Sequence, residues 1–158
     1  MSNDYRVDPN NDLAEELERV QARDSVVRAW AARHSDANII EAFKVAHEGL
    51  LSGWTVGVKD VINTFDLPTE RGSPIYRENQ PVSDAACVAM AREAGAVVTG
   101  KPVTTEFALF TPNITTNPYD PSRTPGGSSS GSAAAVADRQ VRAAFGTQTV
   151  GSMTVSYT

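Results

Sequence analysis

Residues 124–152 read TPGGSSSGSAAAVADRQVRAAFGTQTVGS, a loop, a small-residue helix and a second loop around which the rest of the chain is interpreted. The pair Gly126-Gly127 lets the backbone take angles closed to other residues and approach a ligand closely. Ser128, Ser129 and Ser130 follow at once, so the turn presents hydroxyls beside several backbone N–H groups. From Ala133 to Val141 helix formers dominate, and the start of such a helix aims its orphan N–H groups back at the loop. The second loop, Gly146 to Ser152, adds another hydroxyl and more donors. The unit reads as an oxyanion or phosphate cradle with candidate nucleophiles.

Three readings compete for it. A flexible Gly/Ser linker is the bland one, but linkers do not usually lead into an Ala-rich helix. A phosphate loop of the Walker type needs Gly-Lys followed by Ser or Thr, and no lysine occurs after Lys101. The run Gly127-Ser128-Ser129-Ser130-Gly131 satisfies the G-x-S-x-G elbow of serine hydrolases. That elbow requires a downstream histidine, whereas His34 and His47 both lie upstream. The elbow fails on chain order.

GGSSSGSAAAVA, the later GTQT-x-GS run and the GVKD segment far upstream together resemble the amidase signature family of serine hydrolases. The similarity runs from about Trp54 to Ser152, with weaker support before it. It implies a Ser–Ser–Lys triad in which Lys59 is the base, Ser152 the nucleophile and Ser128 the bridging serine, held by the family in a cis peptide. The spacing between Ser128 and Ser152 is the one that the family pattern expects. The family's oxyanion donors correspond to the backbone of Thr149, Val150, Gly151 and Ser152. Gly127 and Ser129 are implied as loop support, with Ser130 a further structural hydroxyl. The implied reaction is cleavage of a carbon–nitrogen amide bond in a small-molecule substrate through an acyl-enzyme on Ser152, with no metal or organic cofactor. The alternative is a catalytically inactive, truncated fragment with a structural role or none.

The residues carry part of this independently. Lys59 lies at the C-terminal end of a predicted strand, where α/β sheets place function. Alone it reads as an exposed strand-end lysine. Buried without a carboxylate partner, its pKa would fall and a neutral amine would become available as a base. Asp60 follows it and, on a strand, points to the opposite face.

The sequence also departs from the family. Val150 stands where the family has Gly or Ala, so a positive φ there would be strained by its β-branched side chain. Arg139 stands near a position where Gly is common. After Ser152 the family continues with an Arg and then a Pro, where this chain has Thr154, Val155 and Ser156 before ending at Thr158. The tail reads as a C-terminal truncation that leaves out further sheet strands and most of the substrate pocket. Self-association through exposed sheet edges follows as an expectation.

Composition sets the outer bounds. A chain of 158 residues is normally one domain with a core of its own. At 41% hydrophobic and 21% charged it is ordinary for a globular protein. A net charge of -5 and a pI near 5.0 argue against nucleic acid as a direct partner. No apolar run reaches membrane-spanning length, and the polar, acidic N-terminus does not read as a secretory signal. The lone Cys87 cannot form an internal disulfide and, in an apolar helical run, reads as a small core residue. Neither His nor Cys is paired in a metal-ligand spacing, so a metal site is not expected. A cytoplasmic location fits all of this.

Along the chain, residues 1–10 look disordered. Leu13 to about Val27 has helical spacing with Asn11 or Asp12 as a cap, and Val26 to Ala31 is either a short strand or the end of that helix. Ser35 or Asp36 caps a second helix through Ile39, Phe43 and Ala46, ended by Gly49, with His47 at the surface. Trp54 to Asp60 alternates as a strand. Ser83 caps a helix over residues 84–94, packed by Ala85, Val88, Ala89 and Ala91 and stopped by Gly95. Ala96 to Thr99 is a short strand, Thr104 to Leu109 a brief helix, and Thr111 to Pro125 a long loop of the kind that often carries function. Strand, helix and strand predict a crossover and a parallel sheet. The fold class is α/β, the N-terminal part of the amidase-signature fold, with a mixed, mostly parallel sheet flanked by helices. Residues 1–53 form an N-terminal helical segment and residues 54–158 a partial catalytic core.

Overall fold

A computed structural model describes residues 9–148 together with Gly151 and Ser152. The expectations for residues 1–8, for Thr149 and Val150 and for the tail after Ser152 lie outside the described residues.

Among the described residues four α-helices and four strands follow one another: α1 (Pro9–Val27), β1 (Trp30–Arg33), α2 (Asp36–Val45), β2 (Thr55–Val58), α3 (Ala86–Glu93), β3 (Val97–Pro102), α4 (Ser130–Ala137) and β4 (Ala143–Phe145), with short 3-10 turns at Pro74–Tyr76 and Glu106–Ala108. The strands form one sheet in the order β1-β3-β2-β4. β2 runs parallel to both β3 and β4, while β1 is antiparallel to β3 at the edge. The predicted crossover is present as β2–α3–β3.

All four residues of β2 are buried, as a central parallel strand covered on both faces must be. Val56, Val58 and Val98 pack with Val88 and Ala91 of α3 on one face. Val27, Ala29, Ala134, Ala135 and Val141 fill the other, under Trp30. A third cluster, Leu13, Ile39 and Val97, docks α1 and α2. Residues 9–53 are joined to the sheet through β1, α1 and α2. α1 is also clamped to the end of α4, where Arg19 and Arg23 each lie 3.2 Å from Asp138 Oδ1.

Several local expectations are corrected. α1 begins at Pro9, ahead of Asn11 and Asp12, so neither is its cap. Ser35 does cap α2, accepting from the Asn38 N–H at 3.2 Å, but the helix ends at Val45 rather than at Gly49. α3 starts after Ala85 without a side-chain cap; Asp84 instead accepts from the Phe65 N–H and pairs with Arg92. Cys87 and Ala89 are exposed rather than packed in the core. Their helix buries one face, and that face carries Val88 and Ala91. α4 spans Ser130–Ala137 rather than 133–141. Arg139 closes it with φ 57°, the left-handed conformation that favours glycine after a helix end. β4 was not foreseen in the sequence. Three residues carry no periodicity, and only β2 alongside makes them a strand.

Three backbone hydrogen bonds fix the lysine and the serine turn at the sheet. Lys59 N–H donates to Phe145 O and Asp60 N–H to Pro102 O, carrying β2's pairing past Val58. Gly131 N–H donates to Val103 O at 2.9 Å, and a side chain at Gly131 would collide with Val103 N and Ala29 O. The serine turn is thereby pressed against the C-terminal ends of the strands.

Among the described residues no helix is long and apolar enough to cross a membrane.

Candidate active site

Lys59 emerges at the C-terminal end of β2 with its side chain fully buried. Its Nζ lies 2.7 Å from Ser128 Oγ, 2.9 Å from Ser129 Oγ and 2.8 Å from Thr147 Oγ1. These three hydroxyls match the three donors of an ammonium. Ser152 Oγ stands farther off, at 3.5 Å from Nζ. Two hydroxyls fill the gap: Ser128 Oγ at 3.0 Å and Ser129 Oγ at 2.6 Å from Ser152 Oγ. Ser129 N–H also donates to Ser152 Oγ at 2.8 Å, fixing that oxygen's position. The Gly127–Ser128 peptide bond is cis.

The chain brings these groups together from three places. The position just past β2 supplies the lysine, the turn leading into α4 supplies Ser128 and Ser129, and the segment after β4 supplies Thr147 and Ser152. Lys59, Ser128, Ser129 and Ser152, all singled out in the sequence, converge. Gly127 and Gly151 line the cleft over them. Ser130 lines the same cleft, with its hydroxyl toward Val103 O at 3.4 Å.

Thr147 was not anticipated. Its loop is rich in hydroxyls, but nothing in an aperiodic loop says which one turns toward a lysine at the end of another strand. Its backbone also holds Ser129: Thr147 N–H donates to Ser129 Oγ, and Ser129 Oγ to Thr147 O, both at 3.3 Å.

Burial pushes the Lys59 amine down to about 8, because the charged form loses hydration and gains only neutral partners. About a tenth of the amine is then neutral at pH 7, far more than for an ordinary lysine, as a general base requires. The predicted strand over Trp54–Asp60 ends at Val58, and Asp60, in the turn just past it, faces other partners than Lys59 does. It lies buried against a second lysine, Lys101, with Lys101 Nζ 3.9 Å from Asp60 Oδ1. Lys101 Nζ donates to Ile62 O at 2.5 Å and Thr69 Oγ1 at 2.7 Å. Asp60 accepts from the N–H groups of Glu70 and Gly72. Desolvation raises Asp60 to about 6 and lowers Lys101 to about 8. Among the described residues no group of three or more His, Cys, Asp or Glu side chains is placed to share a metal ion.

A family model described as Amidase matches residues 13–155. The chain is 40% identical over 156 residues to the A subunit of the chloroplastic/mitochondrial glutamyl-tRNA(Gln) amidotransferase of Oryza sativa subsp. indica, spanning 89% of this chain and 28% of that one. It is 42% identical over 151 residues to the A subunit of the glutamyl-tRNA(Gln) amidotransferase of Chloroflexus aurantiacus, spanning 87% and 31%. Among solved structures, native peptide amidase from Stenotrophomonas maltophilia matches with a TM-score of 0.80 at 33% identity, covering 95% of this chain and 35% of that one. The chain thus spans under a third of the length of these two curated relatives.

Proposed function

The chain belongs to the amidase family, and from that premise we propose that it is a serine amidohydrolase cleaving carbon–nitrogen amide bonds through an acyl-enzyme on Ser152. The observation that carries this reading is the hydroxyl chain from Ser152 Oγ through Ser128 Oγ to the buried Lys59 Nζ, at 3.0 and 2.7 Å.

Neutral Lys59 accepts the Ser128 proton as Ser128 accepts the proton of Ser152, and Ser152 Oγ bonds to the amide carbon. The amide oxygen becomes an oxyanion, whose backbone donors the family resemblance assigns to Thr149, Val150, Gly151 and Ser152. Each such donor is worth on the order of 10²–10³ in rate. Lys59 then returns the proton along the same hydroxyls to the leaving nitrogen, and the carbon–nitrogen bond breaks. Water, deprotonated by the same base, attacks the ester and releases the acid and Ser152.

Ser129 Oγ also reaches both groups, at 2.6 Å from Ser152 Oγ and 2.9 Å from Lys59 Nζ. The relay is assigned to Ser128 by the family resemblance and because Ser129 Oγ has further partners. Ser129 Oγ is committed to both the N–H and the carbonyl of Thr147. Ser128 Oγ has Ser152 and Lys59 on either side, so its proton is free to turn between them. A cytoplasmic location belongs to the same reading, supported by the exposed, unpaired Cys87.

The test is the intact mass of the purified chain after exposure to a fluorophosphonate, beside Ser152→Ala. One adduct, absent from the variant, is expected. A chain that is folded by circular dichroism and carries no adduct would leave the inactive fragment as the reading, since this chain spans so small a share of its relatives.

A further inference from the structure

A cleft of about 540 Å³ opens directly over Ser152 and Ser128. Its far wall is formed by Phe107, Leu109, Phe110 and Pro112, and none of the described residues lining it is charged. The nearby cation, Lys59, is buried beneath the serines and gives its donors to Ser128, Ser129 and Thr147.

This wall is braced from behind. Phe107 N–H donates to Arg71 O at 2.9 Å. The Tyr76 ring meets the Phe107 ring edge-on at 6.0 Å, and the Arg71 guanidinium lies 4.5 Å above Tyr76. Ser73 Oγ donates to Glu106 Oε1 at 2.8 Å, and Thr105 Oγ1 to Leu109 O at 2.7 Å. Phe107 and Ala108 are both held at left-handed φ, 50° and 58°. Non-glycine residues stay there only where their surroundings over-determine them, a pattern concentrated at ligand sites.

Resting on the amidohydrolase reading of Ser152, we propose that this cleft is an acyl pocket for amides of uncharged, apolar carboxylic acids, aromatic or medium-chain aliphatic. Burying an apolar acyl chain here is favourable for every methylene removed from water. A charged acyl group would find no charged partner along Phe107, Leu109 and Phe110, whose exposed apolar faces are covered only by an apolar ligand. A γ-glutamyl amide, which carries both an ammonium and a carboxylate, is the substrate this wall disfavours.

Labelling rates of Ser152 test the pocket without requiring turnover. Three fluorophosphonates are compared on the whole chain, bearing on phosphorus a methyl group, a hexyl chain, or a carboxylate-ended chain of the hexyl length. The hexyl probe is expected to react about tenfold or more faster than either of the others, the size of discrimination that apolar pockets reach. Phe107→Ala should shrink the hexyl-to-methyl ratio. Leu109→Lys, at an exposed position, should raise the carboxylate probe relative to the hexyl one. Equal rates for all three, or a fastest carboxylate probe, would overturn the pocket while leaving Ser152 a working nucleophile. No labelling by any probe overturns the amidohydrolase reading and the pocket with it.

Discussion

Lys59 decides the pH behaviour of the site. Its pKa lies at about 8 in the folded chain because burial disfavours the ammonium. As a general base it must be neutral, so the labelling rate of Ser152 should rise through about pH 8 and fall below it. Thr147→Val removes one acceptor from the ammonium, destabilising the charged form further. The midpoint should therefore move to lower pH, read from labelling rates across a pH series. An unmoved midpoint would take Thr147 out of the lysine's electrostatics. Nothing at the level of one residue type points to Thr147, since a loop threonine is normally solvated or satisfied by its own backbone.

Among the elements, two buried acids hold pieces of the fold to the sheet. Glu16 of α1 accepts from Thr55 Oγ1 of β2 at 2.6 Å and faces Arg142 at 3.4 Å, and Arg142 also pairs with Asp12. Desolvation raises its pKa to about 7, above the ordinary 4.5. The folded chain therefore holds this proton more tightly than the unfolded one. Stability is highest below about 4.5 as far as this group is concerned, and declines as pH rises through 7. Glu16→Gln should flatten the decline of the thermal midpoint between pH 5 and about 8. An unchanged slope would count against it.

Lys101 plays a similar part on the other side. It ties the 62–69 turn to β3 and faces Asp60, whose carboxylate holds the backbone at Glu70 and Gly72. Lys101→Met leaves Asp60 buried without its cation and should cost about 3 kcal/mol in chemical denaturation. A loss below about 0.5 kcal/mol, the size of an ordinary surface change, would show the cluster to be incidental.

At the scale of the whole molecule, β4 has one strand neighbour among the described residues, and β1 closes the opposite edge. Large apolar side chains also face solvent, with Val82 99%, Leu50 96% and Phe110 89% exposed. Open edges and apolar patches promote pairing with further chains. The isolated chain is expected to self-associate, with a sedimentation coefficient that rises with concentration. A concentration-independent monomer with a sharp, reversible unfolding transition would contradict this.

The sequence by itself determined the α/β class, the crossover β2–α3–β3 and the chemistry-bearing loops. It also singled out Lys59, Ser128, Ser129 and Ser152. The class and the loops rest on local signals, alternation over Trp54–Asp60, helix formers after the serines and hydroxyls beside glycines, whereas Lys59, Ser128 and Ser152 stand out through the resemblance to the amidase signature family. The tertiary structure alone decided which hydroxyls lie within reach of Lys59, that Cys87 faces solvent, that residues 143–145 become a strand, and that Lys101 sits against Asp60. Each of these depends on a partner far away in sequence, and a short aperiodic segment carries no record of the neighbour that will pack against it. Burial is the clearest case. A strand-end lysine reads as exposed until α4 and the loop after β4 close over it, and only that enclosure lowers its pKa.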